Sequence, residues 1–177
     1  MEIEVSVQDY FWESNESTSA TISPKSIAEG QIHPETWETW FQKWLETLSP
    51  DIGPVPSCEL SLRLTGDPEI QTLNSQYRQQ NQPTDVLAFA ALEVNCPHPQ
   101  EMLASLPLYL GDIVISVDTA HRQAQQQHHP LTTELAWLAA HGFLHLLGWD
   151  HPDEDSLNSM LNQQEILLKT IGLTVQT

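Results

Sequence analysis

Residues 131–151 read LTTELAWLAAHGFLHLLGWDH, and how this stretch folds decides the rest of the chain. From Leu131 to Leu147 it is a long apolar run with helix-forming residues, followed by Gly148. That pattern predicts a core helix stopped by a glycine in the left-handed C-terminal position. His141 and His145 are four residues apart, so they lie on one face of that helix, one above the other. Beyond Gly148 the chain turns back, and His151 can approach the first two. Pro152 keeps the segment from continuing as helix.

Three imidazoles at H-x3-H-x5-H spacing describe an open metal site, with water as the fourth ligand. Paired histidines at this spacing occur on ordinary surface helices. Three of them flanked by Leu144, Leu146 and Leu147 are harder to explain without an ion. Burying three unpaired imidazoles costs several kcal/mol, which a metal offsets. Zn²⁺ is favoured, because imidazole suits it and the arrangement is tetrahedral with one open position. Asp150 precedes the third candidate ligand. It is read either as a partner that orients an imidazole or as a cap of the turn before the last helix. A zinc protease of the H-E-x-x-H type carries its general base directly after the first histidine, and here that position is Gly142. His33, His98, His121, His128 and His129 fall in loops or polar segments and are read as surface residues.

Working outward, the remaining segments predict an α+β fold, with a single mixed β-sheet under several helices and the metal site at the end of a core helix. Glu2 to Gln8 alternates as a half-buried or edge strand. Pro34 opens a helix whose Trp37, Trp40, Phe41, Trp44, Leu45 and Leu48 share one face and point to the core. Leu60, Leu62 and Leu64 alternate with Ser61 and Arg63 in a strand ending at Gly66. Asp67-Pro68-Glu69 starts a helix that runs to about Gln80. Val86 to Leu92 and Leu108 to Val117 read as buried strands, the second interrupted at Gly111-Asp112. Asp118 is expected to cap a polar helix through Gln127, and Asp153 to Ile171 forms the last, amphipathic helix. Glu13 to Gln31 lacks periodicity and is expected to be a flexible insertion, and Asn95 to Pro107 another loop. Residues 1–177 are read as one domain.

Composition narrows the function. Twenty-four acids oppose six bases, a formal net charge of −18. Such a surface repels polyanions, so a general electrostatic grip on nucleic acid is disfavoured. No apolar run is long enough for a membrane, and the start lacks a secretory signal. Cys58 and Cys96 are too few for a disulfide framework and are read as reduced thiols in a cytoplasmic protein.

With few cations available, each one matters. Arg78 is one of three arginines. It sits near a helix end, before a polar turn and the Val86 strand. There it could clamp a phosphate in a bidentate pair and stabilise developing charge. It could equally pair with the helix dipole or with Asp85, and on this segment alone that is the commoner arrangement.

Taken together, these segments resemble the YbeY endoribonucleases, bacterial metal-dependent enzymes of rRNA maturation. The likeness rests on His141-Gly142-x-Leu144-His145-Leu146-x-Gly148-x-Asp150-His151, on Tyr77-Arg78 followed by Pro83-Thr84-Asp85-Val86-Leu87, and on Leu110-Gly111-Asp112-Ile113-Val114-Ile115-Ser116. It covers about Leu60 to Gly172. The resemblance implies a zinc held by His141, His145 and His151 and a catalytic role for Arg78. It also implies cleavage of single-stranded RNA, a part in maturing the 3′ end of 16S rRNA, and ribosome quality control. Asn81, Ala88 and Trp149 depart from the family's usual aspartate, serine and tyrosine. The first could remove an acceptor beside Arg78.

Three functions therefore stand side by side. The leading one is the endoribonuclease, with ribosomal proteins supplying affinity that a −18 chain lacks. A zinc hydrolase of a peptide or small amide or ester is the second, with Gly142 counting against its protease form. The third is a non-catalytic ribosome-assembly factor stabilised by metal.

Overall fold

The computed structural model describes residues 1–12, 31–52, 55–91 and 107–175. The expected insertion from Glu13, all but Gln31, and most of the loop from Asn95 to Pro107 lie outside them, as do Cys96 and His98. The described elements, in chain order, are β1 (Glu2–Asp9), α1 (Pro34–Leu48), β2 (Ser57–Thr65), α2 (Asp67–Arg78), β3 (Val86–Ala90), β4 (Leu108–Ser116), α3 (Val117–Gln127), α4 (Leu131–Leu146) and α5 (Glu154–Thr170). The four strands make one mixed sheet in the order β1-β2-β4-β3. β1 and β4 flank β2 in parallel, and β3 runs antiparallel to β4 at the other edge. The α+β expectation therefore holds, and β1 is the edge strand its alternation predicted.

Period-2 patterning sorts the two faces of the sheet. On β2, Cys58, Leu60, Leu62 and Leu64 point into the main core, while Ser61 and Arg63 point to the other side. Burial pushes the Cys58 thiol up to about 11, so it behaves as a small apolar residue. β4 carries a bulge: Glu59 pairs with Tyr109, but Leu60 pairs with Gly111, leaving Leu110 as the extra residue. The bulge explains the interruption seen in the sequence. Gly111 has φ +139°, and a Cβ there would meet the Phe89 carbonyl oxygen at 2.1 Å.

The main core lies between the sheet, α1, α4 and α5. Phe41 of α1 meets Trp44 and Phe143 edge to face, with ring centroids 5.0 and 5.3 Å apart. The Trp44 indole N–H donates to the Leu167 carbonyl at 2.9 Å, tying α1 to α5. The opposite face has a smaller cluster of Ile70, Leu87 and Val114, under α2.

Two boundaries differ from expectation. Ser116, not Asp118, is the N-cap of α3; its hydroxyl accepts from the Thr119 N–H at 3.3 Å. Asp118 instead accepts from the Asp67 N–H at 2.9 Å and holds the start of α2. β3 ends at Ala90, and Leu92 lies outside the described residues.

Candidate metal centre and substrate pocket

α4 buries Leu135, Ala136, Leu138, Ala139, Ala140, Phe143 and Leu144, so its register against the core is fixed. That register turns His141 and His145 out of the core at one helix end. Beside them, Gly142 packs onto β4, where an added Cβ would stand 2.8 Å from Ile113 Cγ2. The position of a protease's glutamate base is thus pressed against the sheet, with no room for a side chain.

The helix ends as its sequence predicts. Gly148 takes φ +98°, and the Trp149 N–H donates back to the Leu144 carbonyl at 3.0 Å. The returning chain brings His151 to the other two rings. Ring centroids are 4.6 Å apart for His141–His145, 5.4 Å for His145–His151 and 5.8 Å for His141–His151. One ligand atom from each of the three lies within 4.8 Å of the others, close enough to share a metal ion. Of the two readings of Asp150, the structure shows the cap of the turn before the last helix. The Asp150 carboxylate accepts from the His151 backbone N–H at 2.8 Å and so fixes the turn, while Asp153 caps α5 in a capping box with Ser156.

Whether these imidazoles suit a metal depends on their tautomers. Gln164 of α5 is fully buried, and its amide nitrogen donates to the Trp137 carbonyl at 3.3 Å. That fixes its oxygen toward His141 Nδ1, 3.0 Å away. An amide oxygen only accepts, so Nδ1 carries the hydrogen and Nε2 keeps its lone pair. His141 Nε2 lies 3.1 Å from His145 Nε2, so that lone pair faces the other imidazole. Burial, then the neighbouring His141, holds the His145 imidazole below the usual histidine range. At neutral pH that ring is uncharged and free to ligate. The residues present therefore fit a metal. Gln164 escaped the sequence reading, although the signal was there: it interrupts the buried stripe Met160, Leu167, Leu168 of α5.

Arg78 is the last residue of α2 and opens on the same pocket as the three histidines, a cavity of about 600 Å³ walled by β3. Arg63 is paired with Glu69 at 3.3 Å and Arg122 with Asp67 at 2.8 Å. Among the described residues Arg78 has no such ion pair. The pairing with Asp85 is not made: that carboxylate accepts from the Val86 N–H at 2.7 Å and from the Gln123 amide at 3.3 Å. Asn81 still offers an acceptor nearby, which is occupied by the Gln71 amide at 3.2 Å.

The surface reading of the remaining histidines fails at His129. It is buried and paired with the buried Glu134 in the first turn of α4. Burial is the main cause that holds the Glu134 carboxyl above the usual carboxylate range, against the pull of His129. His33 is exposed and caps α1, its ring nitrogen accepting from the Glu35 N–H at 3.3 Å. His121 is half-buried and His128 exposed.

Comparison with known proteins settles the lineage. The family model described as Endoribonuclease YbeY matches residues 24–172. The chain belongs to the YbeY endoribonuclease family. Endoribonuclease YbeY of Nostoc sp. strain PCC 7120 is 58% identical over 175 residues, covering 99% of this chain and 93% of that one. The Trichormus variabilis protein of the same name is 56% identical, covering 99% of this chain and 97% of its own. A Thermotoga maritima protein solved in solution shares the fold, with a TM-score of 0.52 at 23% identity, over 95% of this chain and 89% of the other. The chain is accordingly an RNA-cleaving hydrolase with a histidine group that could hold a metal. No helix among the described residues is long and apolar enough to cross a membrane.

Proposed function

We propose that this YbeY-family chain is a zinc-dependent, single-strand-specific endoribonuclease of the cytoplasm. In this reading it matures the 3′ end of 16S rRNA and takes part in ribosome quality control. His141, His145 and His151 hold one Zn²⁺ with a fourth position left open, and Arg78 is the catalytic residue. The observation that carries this reading is that three imidazoles and the one arginine without an ion pair among the described residues border a single pocket. When bound, the ion supplies Lewis-acid polarisation and lowers the pKa of solvent in the open position. Arg78 offers a planar fork of donors that matches two non-bridging phosphate oxygens and stabilises the charge that grows as phosphorus becomes pentacovalent. Gln164 keeps His141 in its ligating tautomer, and Asp150 holds the His151 turn in place. The rRNA substrate and the ribosomal partners rest on the family likeness. The net charge of −18 favours ribosomal proteins as a source of affinity for RNA.

The protease form of the alternative zinc hydrolase is disfavoured by the packing of Gly142 on Ile113. The test is cleavage of a single-stranded RNA by the zinc-loaded chain beside His145→Ala and Arg78→Ala. Arg78→Ala should lose roughly 10²–10³-fold in kcat while staying folded and keeping its zinc. His145→Ala should lose both activity and metal. Equal cleavage by all three preparations would remove the activity from this site.

A further inference from the structure

Tyr77 precedes Arg78, and at 66% exposure it is the most exposed large hydrophobic side chain among the described residues. Its ring is not loose. It meets Phe89 of β3 edge to face, centroids 5.2 Å apart. These two aromatics border the histidine pocket on one side. On the other they border a second cavity of about 330 Å³ on the outer face of the sheet, where Ser61, Arg63 and Asp112 also stand. That volume lies at the lower end of small-ligand pockets, roughly 300–1,000 Å³. The two cavities therefore share a wall made of a propped, exposed aromatic pair.

We propose that this outer cavity is a base-binding subsite, with Tyr77 as the platform on which a base of the RNA stacks next to the phosphate held at Arg78. The inference rests on the endoribonuclease reading of the histidine pocket and deepens it. Continuity selects the occupant, because a strand leaving Arg78 meets Tyr77 first. Charge selects a base over a phosphate. Arg63 is already engaged by Gln8 at 3.2 Å and by Glu69 at 3.3 Å, and Asp112 contributes a carboxylate. A phosphate gains little there, while the polar edge of a base finds both donors and acceptors. Stacking also needs no positive field, since every base has a π-face. It thus supplies affinity of a kind that a chain with six bases and twenty-four acids can use.

The test compares the zinc-loaded protein with Tyr77→Ala and Tyr77→Trp on a single-stranded RNA. Tyr77→Ala should raise KM by about five- to hundredfold with kcat little changed, and Tyr77→Trp should restore it. The loss should persist at high salt, unlike a lost phosphate contact. In the wild type, a 2′-O-methyl oligonucleotide should shift the amide NMR signals of Ser61, Arg63 and Asp112. Cleavage by Tyr77→Ala with unchanged KM, or still signals at those three amides while the histidine pocket responds, would overturn the subsite and leave the nuclease standing. A wild type that neither cleaves nor binds single-stranded RNA would remove both.

Discussion

The two faces of the sheet are held by different forces. On the inner face, α1, α4 and α5 bury Trp37, Phe41, Trp44, Phe143 and the leucines of β2 and β4 in one continuous core. On the outer face the apolar residue that α2 buries is Ile70, with Leu87 and Val114 beneath it, beside the buried polar Asn74, and a polar knot holds its start. Asp67 accepts from Ser116 and Thr119, both at 2.6 Å, and pairs with Arg122 at 2.8 Å. Packing fixes the element that carries the histidines. Directional bonds at the far end fix the element that carries Tyr77 and Arg78, and its other end meets the histidine pocket. A heavily packed face that carries the histidine helix and a lightly covered face that carries Tyr77 and Arg78 are thus built on opposite sides of the same four strands.

The comparison is broken most forcefully at its packed side. Phe41→Ala removes a fully buried ring from the aromatic stack and should cost about 3–5 kcal/mol. Leu73→Ala, half-buried beside the small cluster, should cost about 1 kcal/mol. Urea unfolding of both variants measures the difference. Similar losses would mean that the two faces are equally packed and the contrast is wrong.

A smaller effect sharpens the inner face from within the site. Gln164→Leu keeps the volume of the side chain but removes the acceptor that fixes the His141 tautomer. Zinc affinity should fall about ten- to hundredfold, measured by competition with a chelator, with little change in unfolding of the zinc-free protein. Retained affinity would show that the tautomer does not depend on this amide.

These variants also mark what the sequence could convey. The element order, the mixed sheet's edge strand and the Gly148 helix stop were legible because each rests on local periodicity or a single backbone preference. The histidines were legible as a group because their spacing is itself the geometry. Gln164 and His129 were not, since their partners lie 23 residues away on another helix for one and across a helix start for the other. The bulge at Leu110 flips the side-chain parity of β4, and so places Tyr109 and Asp112 together on the outer face, their oxygens 2.6 Å apart. Simple alternation puts them on opposite faces. Arg78 was legible from its place near a helix end and from the family resemblance, whereas its lack of an ion pair among the described residues shows only beside the paired Arg63 and Arg122.

The outer face makes the most delicate prediction, through acid. Burial pushes the Asp67 carboxyl up, but the hydrogen bonds from Ser116, Thr119 and Arg122, together with the Arg122 charge, outweigh it and hold the group below the usual carboxylate range. A lowered folded pKa means that the unfolded chain takes the proton more readily. The stability Asp67 contributes is therefore fully present above the ordinary aspartate value of about 4 and is lost as pH falls through the lowered folded value. The group is partly open to solvent, so the contribution should stay near or below about 1 kcal/mol. Asp67→Asn should be less stable than the wild type at neutral pH, with the gap closing only below about pH 4. If the knot holds α2 in place, the same variant should also raise KM for RNA, because Tyr77 and Arg78 ride on that helix. A gap that persists unchanged below that pH would mean that the Asp67 contribution does not depend on its charge, and curves that coincide at neutral pH would mean that the small apolar cluster alone seats α2.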